Sequence, residues 1–170
     1  EDRVRCQLCA HRCTIAEGQR RICQARENRK GVLYRLVYGQ SISQAIDPVE
    51  KKPLFHFYPG SSTYSFATTG CNFRCSFCQN YPISQLFHGE PCSVERLAGI
   101  FLDLQERGSH NLNLVSPTPY LRHVVGALEI ASARGLDIPI VYNASGYERV
   151  EVVEQLEGIV DIYLPDMRYG

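Results

Sequence analysis

The chain has 170 residues, 44% of them apolar and 21% charged, and its 18 basic and 18 acidic side chains cancel. That leaves room for one domain with a real core and a small appendage. No apolar run approaches the roughly 18 residues a membrane span needs, and no signal peptide is visible, so a helical membrane protein is excluded.

The zero balance hides an asymmetry. Residues 1–30 hold eight Lys or Arg and four acids, so this stretch carries +4 and the remainder −4. A basic stretch can meet nucleic acid, face an acidic partner, or balance metal-bound thiolates. The last two are favoured over nucleic acid, because no aromatic residue interleaves the basic ones. Position 1 is Glu, not an initiator Met, so a native N-terminus is expected to be missing.

In chain order, residues 1–30 are Cys-rich and Arg-rich with little hydrophobic periodicity, and they predict metal-stapled loops. Cys6, Cys9, Cys13 and Cys23 supply four soft thiolates, a closed set by count. Structural zinc is the simplest occupant, a second iron–sulfur cluster that relays electrons the next, and His11 is a substitute ligand. Residues 31–43, "GVLYRLVYGQSIS", predict a strand or hairpin. Residues 47–62, broken by Pro48, Pro53, Pro59 and Gly60, predict an irregular connection that carries aromatics.

From Thr63 the pattern becomes strand, loop, helix, repeated. Strands are predicted at 63–69, 111–116, 138–146 and 160–166. Helices are predicted at 93–108, capped by Ser93 and stopped by Gly108, then at 120–135 and at 147–157. Such alternation implies a parallel sheet with right-handed crossovers and an active site at the C-terminal strand ends. The expected fold class is α/β: a partial (βα) barrel of parallel strands preceded by a small Cys-rich metal-binding unit. The expected divisions are 1–30, 31–62 and 63–170. The pattern stops after the fourth of these strands, so the barrel is expected to be incomplete.

The first of these strands delivers "GCNFRCSFCQN" (70–80), with Cys71, Cys75 and Cys78 spaced C-x3-C-x2-C. Three thiolates from one loop can hold three corners of a cubane [4Fe–4S] cluster and leave the fourth iron without a protein ligand. Ferredoxin-type spacing supplies a fourth cysteine instead. The plainer alternative is a zinc knuckle completed by His88 or Cys92. Clustered cysteines suit metals and a reducing cytoplasm better than a disulfide framework. Otherwise Cys92 is a passive residue, and His56, His88, His110 and His123 show no paired ligand spacing.

The loop and its setting, "ATTGCNFRCSFCQN", resemble the radical S-adenosylmethionine (radical SAM) superfamily, in its pyruvate formate-lyase activating enzyme-like branch. Residues 6–85 are most similar to the AmmeMemoRadiSam-system radical SAM proteins, and residues 110–168 to a sister group of activating enzyme-like proteins. The resemblance implies that Cys71, Cys75 and Cys78 ligate a [4Fe–4S] cluster whose fourth iron takes S-adenosylmethionine. Reductive cleavage to a 5′-deoxyadenosyl radical, hydrogen abstraction and a glycyl-radical activating role are implied with it, as is a reductant such as flavodoxin or ferredoxin. The substrate implied is a protein or a small molecule, with no membrane partner. Phe77 would flank the adenine. Where relatives carry Gly-Gly-Glu, this chain has "SPTP" (116–119), so Ser116, Thr118 or backbone carbonyls would hold the methionyl group. Asn143 and Ser145 would bond ribose or carboxylate. Asp166 and Arg168 resemble an Asp-x-Lys pair at the reaction centre, with Arg as an anion clamp because it keeps its proton. The alternative from another class is a non-catalytic zinc or iron–sulfur module for electron transfer or scaffolding.

Overall fold

The computed structural model describes residues 2–37 and 43–167. Arg168, and the part of the expected 31–43 hairpin that falls on residues 38–42, lie outside the described residues.

Strands β1 (Val4–Arg5) and β2 (Thr14–Ile15) pair antiparallel, as do β3 (Arg26–Arg29) and β4 (Val32–Arg35). The β3–β4 turn is Lys30-Gly31, with φ of 52° and 76°. Two residues at positive φ match the right-handed twist of a two-residue hairpin, and glycine takes the second without strain. Buried Asn28 fixes this hairpin to β2: its amide donates to the Ile15 carbonyl at 2.9 Å and its oxygen accepts from Gly31 N at 3.0 Å. The stretch expected to be loops therefore has short ladders, formed from residues too polar to show a strand period.

A five-stranded sheet follows, in the order β5 (Ser43–Pro48), β6 (Ser62–Ala67), β7 (Asn111–Val115), β8 (Ile140–Ala144), β9 (Ile162–Pro165). β6 to β9 are parallel neighbours in chain order, while β5 runs antiparallel to β6. The sheet is thus mixed and mostly parallel. The departure is β5, which takes in part of the segment expected to be irregular; Pro48 ends it on the sheet edge, where a missing N–H costs nothing.

Between the parallel strands lie α1 (Tyr81–Ser84), α2 (Val94–Glu106), α3 (Leu121–Ser132) and α4 (Val150–Glu154). Ser93 accepts from Arg96 N at 3.1 Å and caps α2 as its sequence predicts. α1 was not anticipated, and α4 is shorter than the expected 147–157.

Alternation along the strands sends Tyr64, Phe66, Leu112, Leu114 and Tyr142 into one core with Leu97, Phe101, Val124 and Leu128 of α2 and α3. Phe66 meets Phe101 and Tyr120 edge-on at 5.7 and 6.0 Å. The opposite face of the same strands is polar: Thr63, Ser65, Asn111 and Asn113 are all buried. A sheet with an oily face under helices and a polar face opposite has its chemistry on the second face. No helix among the described residues is long and apolar enough to cross a membrane.

Candidate active site at the sheet's C-terminal edge

β6 ends at Ala67, and Thr68, Thr69 and Gly70 lead straight into the cysteine loop. Gly70 has φ of 90° and lies against the Cys23 carbonyl, which a Cβ at this position would approach to 2.8 Å. Only glycine fits this turn. Its N–H donates to the Ile83 carbonyl at 3.2 Å, so α1 closes the far side of the loop.

Cys71, Cys75 and Cys78 are half-buried free thiols. The Phe73 N–H reaches Cys71 Sγ at 3.4 Å, and the Cys78 thiol lies 3.3 Å from the Ser84 hydroxyl. Burial pushes the Cys71 thiol up; the Phe73 N–H and the Ser116 hydroxyl pull it back, and Cys78 and Cys75 raise it further. The donors aimed at this sulfur favour its thiolate, the form that binds metal. Among the described residues no three side chains of His, Cys, Asp or Glu are gathered tightly enough to hold a single ion.

Neighbouring strand ends close in on the same loop. Ser116, just past β7, has φ of 49°, a costly conformation for a side-chain-bearing residue. Its N–H donates to the Asn143 carbonyl on β8 at 2.8 Å while its hydroxyl serves Cys71. Ser145, just past β8, accepts from the Asn72 amide at 3.2 Å. Asp166, just past β9, donates its N–H to the Ala144 carbonyl at 2.8 Å. Cys71, Ser116, Asn143, Ser145 and Asp166 are thus brought to one edge.

Two expected residues stand differently. Thr118 is 1% exposed and donates to Glu148, with the Tyr142 hydroxyl 3.4 Å away, which ties the start of α3 to the 145–149 turn. Phe77 is 68% exposed, its ring free of the core.

Sequence reasoning missed Asn72, His11 and Tyr147. The His11 Nε2 bonds the Asn72 carbonyl at 2.9 Å, and its ring packs on Tyr147 at 4.7 Å and Phe73 at 5.9 Å. Also missed was Asn113, 0% exposed, both of whose side-chain amide atoms are buried without a hydrogen-bond partner. Cys6, Cys9, Cys13 and Cys23 line one small cavity beside Asn72. Burial pushes the Cys9 thiol up to about 11 despite a backbone hydrogen bond from His11, and raises Cys23 as well. A larger cavity, about 480 Å³, lies between α4 and β9, lined by Glu148, Val150, Val153, Glu157, Val160 and Tyr163. None of the expected site residues lines it.

A model of the radical SAM superfamily matches residues 65–165, more than half of the chain. An uncharacterized protein of Methanocaldococcus jannaschii is 56% identical over 85 residues, covering 50% of this chain and 26% of that protein. A second uncharacterized protein of the same organism is 32% identical over 175 residues, covering 97% of this chain and 46% of that protein. The chain therefore spans about half or less of the length of these curated relatives. No solved structure is a significant match.

Proposed function

The chain belongs to the radical SAM superfamily, and from that premise we propose that the 70–80 loop holds a [4Fe–4S] cluster through Cys71, Cys75 and Cys78. One observation carries the reading: the ends of β6, β7 and β8 meet at the Cys71 thiol, through the Ser116 hydroxyl on its sulfur and the Ser116 N–H on the Asn143 carbonyl.

The donor set fits the group. A tetrahedral zinc needs its four thiolates within about 4 Å of one another, whereas a cubane is wider and takes three thiolates spread along a loop. Hydrogen bonds to cluster sulfurs are a main lever on potential, and the Phe73 N–H and Ser84 hydroxyl are placed to supply them. The polar sheet face and the unpartnered amide of Asn113 suit a cofactor with amino, carboxylate and ribose groups. When bound, cluster and S-adenosylmethionine together supply an electron and a carbon–sulfur bond that one electron can break.

The protein's own part is placement. Ser116 and the backbone near Asn143 would orient the methionyl end, Ser145 would hold polar groups at the β8 end, and exposed Phe77 would cover the adenine. Thr118 stands behind them and would set the 145–149 turn rather than touch the cofactor. Asp166, with Arg168 beyond the described residues, would face the substrate at the β9 end. The branch that fits best is the pyruvate formate-lyase activating enzyme-like one, in the reducing cytoplasm with a flavodoxin or ferredoxin as electron donor. The sheet would form part of a (βα) barrel, and the four N-terminal cysteines would take zinc or a second cluster.

Anaerobic reconstitution with iron and sulfide tests the reading. The expected result is about four irons per chain at this loop, by the stoichiometry of the cubane, with broad visible absorbance that disappears in Cys75→Ser. Iron uptake unaffected by that substitution would overturn it.

A further inference from the structure

The four N-terminal cysteines come from separate turns, yet they meet. The Cys6 N–H donates to the Cys13 carbonyl at 2.8 Å and the Arg12 N–H to the Cys9 carbonyl at 3.1 Å, which closes a loop between β1 and β2. Cys23 arrives from the turn before β3. All four line one cavity of about 20 Å³, walled also by Ile15 and Asn72. That is space for one water or one ion, far too little for a cluster of four irons and four sulfides. Four thiolates are a complete tetrahedral set for a thiophilic divalent cation. The thiols are not at bonding distance as they stand, so they must swing inward by side-chain rotation to reach about 2.3 Å from a common centre.

The outer wall of this cavity is the cysteine loop itself. His11 bonds the Asn72 carbonyl, and the Asn72 side chain passes on to Ser145. The Arg74 Nε donates to the Ile22 carbonyl at 3.4 Å, and Gly70 lies against the Cys23 carbonyl. On the other flank, the Ala10 N–H donates to the Tyr147 carbonyl at 2.9 Å and Arg149 donates to the Gln7 carbonyl at 3.1 Å. Residues between or beside prospective ligands thus touch both the 70–75 loop and the 145–149 turn.

We propose that Cys6, Cys9, Cys13 and Cys23 bind a single zinc-type cation, and that the closed knuckle braces the 70–75 loop against the 145–149 turn. The ion site stands on its own; the purpose of the brace rests on the cofactor reading above.

The test uses the full chain purified under reducing conditions without added iron. Metal analysis and Co²⁺ substitution report the site, and hydrogen exchange with and without zinc reports the brace. One zinc per chain is expected, with thiolate-to-cobalt charge-transfer bands. It should be kept in the Cys71/Cys75/Cys78→Ala triple variant and lost in Cys9→Ser/Cys23→Ser. Zinc should slow exchange about tenfold or more at 70–76 and 144–149 and leave 97–104 unchanged. His11→Phe keeps the ring packing but not the bond to Asn72, so it should retain zinc yet lose most of the protection at 70–76. Iron–sulfur absorbance surviving in the triple variant, zinc retained in the double variant, zinc lost with His11→Phe, or protection confined to 1–30 would each overturn the proposal. Failure of the cofactor reading would show separately, as a 70–80 loop that takes up no iron while these zinc readouts stand.

Discussion

Ser116 does two incompatible things well. Its positive φ strains the chain by an amount of order 1–3 kcal/mol, and its hydroxyl steadies the Cys71 thiolate. Ser116→Gly should therefore separate them. Unfolding is expected to show stability unchanged or raised by up to about 1 kcal/mol. The Cys71 pKa should move higher, seen as slower alkylation at fixed pH in a chain whose other cysteines are blocked or replaced. Asn113 makes a parallel case. A buried amide with no partner costs about 1–3 kcal/mol, so Asn113→Leu should stabilise the fold while weakening S-adenosylmethionine binding several-fold by calorimetry on the reconstituted protein. The three cysteines of the 70–80 loop were legible because their spacing is local. Asn72, His11 and Ser145 were not, because their partners lie 61 and 73 residues away, and only the fold brings them together.

Among the elements, α2 was legible to its cap: Leu97, Phe101 and Leu104 recur at helical spacing and are all buried. Ser93→Ala should cost about 1 kcal/mol and Phe101→Ala about 3–5 kcal/mol, both measured by denaturant unfolding. β5 was not legible. It is an edge strand that pairs on one side and leaves Ile46 58% exposed, so its sequence lacks the apolar alternation of a covered strand. What holds it is charge. Burial pushes the Asp47 carboxyl up, but hydrogen bonds from Lys51, Ser65 and Lys52 outweigh this and hold it below the ordinary carboxylate value. Lys51 Nζ stands 2.6 Å from Asp47, Lys52 Nζ 3.2 Å, and the Ser65 hydroxyl 3.0 Å. A depressed carboxyl stabilises the fold above its unfolded pKa and loses that contribution as pH falls through the folded one. Asp47→Asn should thus cost about 2–3 kcal/mol near neutral pH, the scale of hydrogen bonds to charged groups. The difference from the parent should fade once the pH drops below about 4.

For the molecule as a whole, alternating strand and helix signals foretold the parallel order β6 to β9 and the edge on which chemistry gathers. They could not foretell that the N-terminal cysteines would fold back onto that edge, since β1 to β4 are too short and polar to announce themselves. The sheet's asymmetry then explains the division of labour: one face is packed under α2 and α3 for stability, the other kept polar around Thr63, Ser65, Asn111 and Asn113. The most direct measurement is electron paramagnetic resonance of the anaerobically reconstituted, dithionite-reduced chain, recorded before and after S-adenosylmethionine is added. The expected result is a reduced-cluster signal whose g values shift on addition, with 5′-deoxyadenosine accumulating and both effects absent in Cys71→Ala. A cluster signal indifferent to S-adenosylmethionine, or one that survives replacement of Cys71, Cys75 and Cys78 together, would contradict the assignment.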